Sequence, residues 1–493
     1  MKRIAILGGG ISGLSAAYEL ARQQQAGASV DFVLFEAASR LGGIVDTERR
    51  NGFVIECGPD SWVTEKSWAR ELAIELDLEA EIIYSQDEHR KTYLAKNGEL
   101  RPLPNGMRMM VPYDLATIRD SPFFSAEAKA AYAREPQMAE HLKAFALNDR
   151  QVSRDESVRD FVIRHFGADV ADSLAAPLLA GVFGGDIRTL SVRAVLPAYV
   201  ALERKYGSLI VGLEQAQNQP TMPIFSTLRN GLSGLIQGME SHIPRQCIRL
   251  ESIVQAVERT PKGWQLQVRD KSATSITPEQ FDAIIVATPA NVTAQLLHSI
   301  EPGLSQFLPQ DSSSAIVVGF AFTEQQAKSL QIPRGFGFLV PQPDQTATKS
   351  ARDQRDLPEL AQQALLACTF VDQKFLYRAP EGSVLLRAFF GGPSAPALLQ
   401  ESDVTLGNLA QAALEQVLGE LPEPGFTVVR RWPNSLPLYA VGHPDRIAEL
   451  ESHIARFPNL RLIGNAYRGV GLPDLIRDAR NAAREMAAIL GGS

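Results

Sequence analysis

Gly8-Gly9-Gly10-Ile11-Ser12-Gly13 stands between a short apolar run, Ile4 to Leu7, and a helical pattern from Ser15 to Ala21. Strand, glycine turn and helix in that order form the dinucleotide fingerprint of a βαβ unit, and nothing else in the chain constrains its fold as much. Gly8 suits the tight turn, Gly10 lets backbone approach a pyrophosphate, and Gly13 lets the helix pack on the strand. The helix start at Ile11 and Ser12, with Gly9 before it, offers N–H groups and a partial positive charge to phosphate. Glycine-rich turns also arise for packing alone, but here the required strand and helix flank the motif. Asp31 to Glu36 reads as the second strand, and Glu36, followed by Ala37, has the spacing of a ribose hydroxyl partner. A surface acid at a strand end is the plainer alternative.

Residues after Glu36 bear on which dinucleotide is bound. Arg40-Leu41-Gly42-Gly43 places a cation and a glycine pair where backbone can approach the same cofactor again, with Arg40 near phosphate. Simple nicotinamide enzymes do not need this. Gly52 to Glu56 alternates and then breaks at Gly58-Pro59-Asp60-Ser61, a turn where backbone can face a ligand. Far downstream, Phe281 to Thr288 reads as a buried strand closed by Pro289. Leu460 to Gly464-Asn465 and then Gly469-Val470-Gly471-Leu472-Pro473-Asp474 lead into a last helix. Both chain ends are therefore expected to meet on one cofactor. The helix start beside Gly471 would stabilise negative charge on a reduced flavin ring.

These marks resemble the flavin amine oxidase and protoporphyrinogen oxidase superfamily: R-x-G-G after the first unit and a C-terminal G-N-x-x-x-G-x-G-x-P-D. Glu56-Cys57-Gly58-Pro59-Asp60-Ser61-Trp62, Asn97 to Pro104, Pro177 to Asp186 with Leu190-Ser191, and Arg431-Trp432-Pro433 through His443 look closer still to the porphyrinogen oxidases. The resemblance covers nearly the whole chain. It implies an α/β fold: an FAD-binding Rossmann-like domain with a β-sheet substrate domain and a helical insertion. It also implies FAD as cofactor, contact of the adenine end with backbone near Val254, and three two-electron oxidations of a porphyrinogen to the porphyrin in haem biosynthesis, with O2 giving H2O2. Protoporphyrinogen IX and coproporphyrinogen III both remain open as substrate. An amine oxidase or carotenoid desaturase is the alternative enzyme, although Leu472-Pro473-Asp474 differs from the small residues expected of amine oxidases there. A flavin-binding protein without turnover is the alternative outside enzymes.

At 493 residues the chain is too long for one core. We expect a discontinuous FAD-binding domain (1–80, 222–295 and 440–493), a helical domain (96–215) and a substrate-binding sheet domain (296–439 with 81–95). Helical periodicity marks Ala126 to Ala133, Ser157 to Phe166 and Asp169 to Ala180, the last to be ended or kinked by Pro177. Cys247 to Val254 and Trp264 to Val268 read as strands joined at Lys262-Gly263. Ala315 to Phe322, Gly337 to Val340, Ala364 to Val371 and Val384 to Phe390 read as the substrate sheet, and 342–363 as a solvated insertion.

A net charge of −7 without a basic run argues against nucleic acid. Cys57, Cys247 and Cys368 are too widely spaced for a zinc site or disulfide framework, and scarce histidines predict no metal. No window approaches eighteen uninterrupted apolar residues, so a spanning helix is not expected. The expected location is the cytoplasm, with Leu103 to Tyr113 read either as a peripheral anchor at the inner face of the membrane or as a loop packed on its own protein. The sequence assigns no oligomeric state.

No nucleophile or acid–base dyad has convincing spacing, so no catalytic residue is assigned. Asp60 and Ser61 line the cofactor or, for Asp60, cap a helix; Asp474 is read first as a cap. A macrocycle rimmed by carboxylates would need an apolar pocket with cations at its mouth. Arg90, Lys91 and Arg387 are candidates for those cations and Phe389 with Phe390 for the wall, each against a plainer surface or core reading. Trp432 is equally a core aromatic or a flank of the flavin.

Overall fold

The computed structural model describes residues 2–96, 98–148, 155–216, 222–273, 275–341 and 356–491. Its centre is a five-stranded parallel sheet whose spatial order is Ile248–Arg249, Val30–Phe35, Lys2–Leu7, Ala283–Val286, Leu460–Leu462. Every residue from Ile4 to Leu7 and from Ala283 to Val286 is buried, as the continuous apolar runs require of strands covered on both faces. The fingerprint helix Ile11–Gln25 and the C-terminal helix Leu472–Gly491 pack against one another on one face. The three-stranded antiparallel sheet Ser252–Thr260, Gly263–Asp270, Thr277–Phe281 covers the other, through a core that holds Trp264 and Phe281. The expected continuous strand from Cys247 to Val254 is in fact two strands in two sheets, Ile248–Arg249 and Ser252–Thr260. Between them Glu251 takes a φ of 53°, a turn conformation that redirects the chain.

The second sheet has seven strands, ordered Phe426–Pro437, Ser312–Phe322, Val384–Phe390, Leu365–Phe370, Gly337–Leu339, Thr92–Lys96, Glu99–Pro102. Residues 99–102 therefore belong to this sheet and not, as expected, to the helical region. Phe426–Pro437 tolerates Pro433 because it is an edge strand, where a missing N–H breaks no inner ladder. One sheet face carries Ile316, Val318, Phe320, Leu386, Ala388 and Phe390 into a core against the helices Leu357–Ala364 and Asp403–Leu418. The opposite face looks toward the nucleotide unit. The expected insertion at 342–363 lies partly outside the described residues; its last part is the start of the helix Leu357–Ala364.

The described residues between 114 and 215 form the helical insertion around its own core of Tyr132, Phe161, Phe166, Leu174 and Ile210. Gly167, with φ 84° and ψ 170°, breaks the stretch after Phe166. Beyond it the chain winds through a π-turn at Ala171–Ala175 and continues as Ala176–Phe183. Pro177 therefore does not end a helix; it occupies the first turn after the π-turn, where its missing N–H costs little. Contrary to expectation, Val158–Phe183 is long and apolar enough to cross a membrane by length and composition, although polar residues interrupt it throughout. It is broken at Gly167, however, and Arg159 pairs with Asp172 across the break at 2.9 Å. Leu103 to Tyr113 packs on its own protein: Met110 and Val111 are buried, and Tyr199 and Tyr132 donate to the Arg108 and Met110 carbonyls.

Candidate cofactor and substrate site

The fingerprint loop sits where its glycines predict. A Cβ on Gly13 would lie 1.8 Å from the Gly8 carbonyl oxygen, so close helix–strand packing excludes any side chain there. Gly10 is different: its φ of −66° suits any residue, yet a Cβ there would meet nothing within 4 Å. Open space above the uncapped start of a helix is the shape a pyrophosphate needs. Ile11 and Ser12 are buried at that helix start. Gly42 donates to the Gly9 carbonyl at 2.8 Å, and the Gly43 position approaches Gly10 closely, so the second glycine pair borders the same space.

Glu36 closes one end. Its carboxylate accepts the Gly9 N–H at 2.6 Å and the Ala38 N–H at 2.7 Å, with Ala37 exposed between. Ser252 donates to the Glu36 carbonyl, which brings the strand carrying the half-buried Val254 to the same place. Glu36, Ala37 and the strand of Val254 thus lie at one end of the fingerprint loop. Arg40 does not stand free: it donates to the carbonyls of Gly43 (2.6 Å), Leu41 and Val45, and so braces the loop.

The other end is built by Gly58 to Ser61 and the C-terminal turn. Gly58 packs on the Ile44 carbonyl so tightly that a Cβ would lie 1.8 Å away, while Trp432 donates to the Cys57 carbonyl at 2.6 Å. Trp432 is therefore a half-buried strut between the large sheet and the nucleotide unit. Asp60 caps no helix. Its carboxylate meets the Lys374 ammonium at 2.9 Å and the Arg387 guanidinium at 3.4 Å, and accepts from the Ser61 hydroxyl at 2.6 Å. Burial opposes ionisation of Asp60, but the two cations outweigh it and hold the carboxyl well below the usual range. Gly464, with a φ of 125°, again faces open space, whereas Gly469 and Gly471 approach the Asp474 carboxylate. Asp474 lies in the first turn of the C-terminal helix and pairs with Lys66 at 2.5 Å rather than capping. Leu472 is buried, and Val470 packs on the helical insertion. Asn465 donates to the Ser435 carbonyl at 2.9 Å.

The substrate candidates separate. Phe389 is half-buried and shares a row across the nucleotide-facing side of the sheet with Val317, Ala367 and Leu339. The helix Ala176–Phe183 stands over that row, with Leu339 within 3.7 Å of a Cβ on Gly181. Arg387 is not at a mouth. It is fully buried, donates to the Gly58 carbonyl at 2.5 Å, and lies 4.7 Å from the Phe389 ring centre. Strand alternation could have indicated its inward direction; its partner Asp60 is too distant in sequence to read. Arg90 and the exposed Lys91 lie together just before Thr92, three strands from Arg387, or roughly 14 Å by ordinary strand spacing. Sequence reasoning missed Lys374, Arg378 and Tyr439. Arg378 pairs with the buried Glu56 at 3.3 Å, and Tyr439 grips the C-terminal turn.

The space over Gly10 and Gly464, the uncapped helix start and the Glu36 carboxylate fit an extended dinucleotide. Comparison with known proteins agrees. A coproporphyrinogen III oxidase of Staphylococcus aureus is 30% identical over 99% of this chain and 100% of its own length. Human protoporphyrinogen oxidase is 28% identical over 98% of each. A solved chain from Exiguobacterium sp. 255-15, named as a candidate protoporphyrinogen oxidase, superposes with a TM-score of 0.81 at 32% identity, covering 99% of both. A putrescine oxidase at 16% identity and TM-score 0.65 shares the fold. With the flavin containing amine oxidoreductase model matched over residues 11–487 of a chain already folded around a dinucleotide cleft, the protein belongs to that family and takes FAD as its cofactor.

Proposed function

We propose that this enzyme oxidises a porphyrinogen to the porphyrin in haem biosynthesis. Three two-electron steps remove six hydrogens from the macrocycle, and three O2 become three H2O2. The single observation that carries this reading is end-to-end similarity to relatives named for that reaction. Coproporphyrinogen III and protoporphyrinogen IX are both candidates, the former because bacterial relatives covering the whole chain are named for it.

Bound FAD supplies a two-electron acceptor that O2 re-oxidises. Gly8 to Gly13 with Gly42 and Gly43 would receive its pyrophosphate, Glu36 its ribose, and backbone near Val254 its adenine. Gly58 to Ser61, Gly464, Asn465 and Val470 to Leu472 would border the ring. The start of the helix Leu472–Gly491 favours negative charge there, and Lys66 offsets the opposing charge of Asp474. Phe389, Val317, Ala367 and Leu339 offer the apolar wall that excludes water from a flat macrocycle. Arg90 and Lys91 remain candidates for its carboxylates. We place the enzyme in the cytoplasm, with any membrane contact peripheral.

The test is porphyrin fluorescence developing from each porphyrinogen in air, against an enzyme-free control for autoxidation. Enzyme-dependent fluorescence with about three H2O2 per porphyrin is expected. Rates equal to the control with both substrates would reject the reading.

A further inference from the structure

We propose that Tyr439, with His443 stacked upon it, is a positioning residue that clips the cofactor-bordering turn to the helical insertion. This rests on the reading that Gly464 to Gly471 adjoins FAD. The Tyr439 hydroxyl is buried; it donates to the Asn465 carbonyl at 2.5 Å and accepts the Gly469 N–H at 3.1 Å. One side chain thus ties both ends of a turn whose own glycines, Gly464 and Gly469, have positive φ and no side chain to brace it. His443 stacks on the Tyr439 ring at 4.1 Å and 10°, and its Nε2 donates to the Tyr467 carbonyl at 2.9 Å, a third hold on the same turn. Burial pushes the Tyr439 phenol up and His443 down, so both stay neutral in the working pH range.

The other side of the clip is the helical insertion. The Tyr439 carbonyl accepts from Ser191 at 2.7 Å, Val441 donates to the Thr189 carbonyl at 2.9 Å, and Ala440 bridges to Leu190. Asp155 joins the two parts: its carboxylate accepts the Gly442 N–H at 2.8 Å and the Arg193 N–H at 3.4 Å. A displacement of the insertion therefore reaches the turn through Tyr439. A side chain that merely filled space would need neither pair of bonds.

The experiment is a double-mutant cycle on the FAD-loaded enzyme, reading FAD release and the visible flavin absorption band. Tyr439→Phe keeps the ring stack and removes the hydroxyl; it should raise the FAD dissociation constant about tenfold and shift the band. Asp155→Ala touches neither turn nor cofactor, yet should move both readouts in the same direction by less. The double variant should be no worse than Tyr439→Phe alone, because both act through one path. Asp155→Asn replaces the alanine variant if that fails to fold. An FAD dissociation constant for Tyr439→Phe within about twofold of wild type, with an unmoved band, overturns the clip, and so does additivity in the cycle. A wild type that takes up no FAD overturns the cofactor reading itself, and that outcome is distinct from a yellow wild type with an unaltered Tyr439→Phe.

Discussion

The charges buried behind Gly58 come from segments far apart in the chain, whereas those around His165 all come from the helical insertion. In the first group Glu56 and Asp60 of the nucleotide unit meet Arg387 of the large sheet and Lys374 and Arg378 of the connection that leads into its strand. In the second, His165 meets Glu135 at 2.9 Å and Glu203 at 3.2 Å, and Arg164 bridges Glu203 and Glu156. Glu56, Lys374, Arg378 and Arg387 in the first group, and Glu135, His165 and Glu203 in the second, are buried, so each of these ions depends on its partners. The first group is a joint between two units beside the proposed cofactor cleft, and the second is internal to one unit. The difference teaches that burial of charge does not by itself mark a site; what matters is which parts of the chain the charges join.

That contrast can be broken experimentally. Arg387→Met should have the largest effect. It leaves Asp60 short of one cation and frees the Gly58 carbonyl, so stability should fall by about 3–5 kcal/mol and bound FAD should be lost. Denaturant unfolding and the flavin absorbance of the purified protein read the two consequences. His165→Leu should cost about 3 kcal/mol, by taking one of three partners from Glu135 and leaving Glu203 to Arg164 alone, yet leave FAD content unchanged below the unfolding temperature. Equal loss of FAD in both variants would mean the two regions are not separable.

The smallest effect concerns Asp372, which lies beside the joint and accepts the Leu385 N–H at 2.9 Å. Burial pushes its carboxyl up to about 6 from an ordinary 3.8. The folded state therefore holds this proton more tightly than the unfolded chain, and the associated stability, present below the unfolded value, is lost as pH rises through the folded one. Asp372→Asn keeps the acceptor and removes the titration. It should match wild type near pH 4 and exceed it by about 2–3 kcal/mol above neutrality, measured as the difference in unfolding free energy. An equal difference at both pH values would remove the titration from the account.

How much of this was legible beforehand depends on how local the determinant is. Gly8 to Gly13, with the strand before it and the helix after it, is written in adjacent residues and was readable. Pro177 misled because a π-turn lets the chain continue, and no local residue announces that turn. Glu99–Pro102 was assigned to the wrong region because its sheet partner is one turn away while most of that sheet lies hundreds of residues downstream. Arg387 illustrates the same limit: its residue type suggested a rim, and only the tertiary fold supplies the buried Asp60 that neutralises it.

The central sheet also has a temporal meaning. Lys2–Leu7 lies beside Ala283–Val286, which in turn awaits Leu460–Leu462. During synthesis the strand Lys2–Leu7 must wait until Leu460–Leu462 has left the ribosome before its platform is complete. Loss of Leu460–Leu462 and the helix Leu472–Gly491 should thus leave an apoprotein unable to turn yellow, with exposed strand margins prone to coalesce.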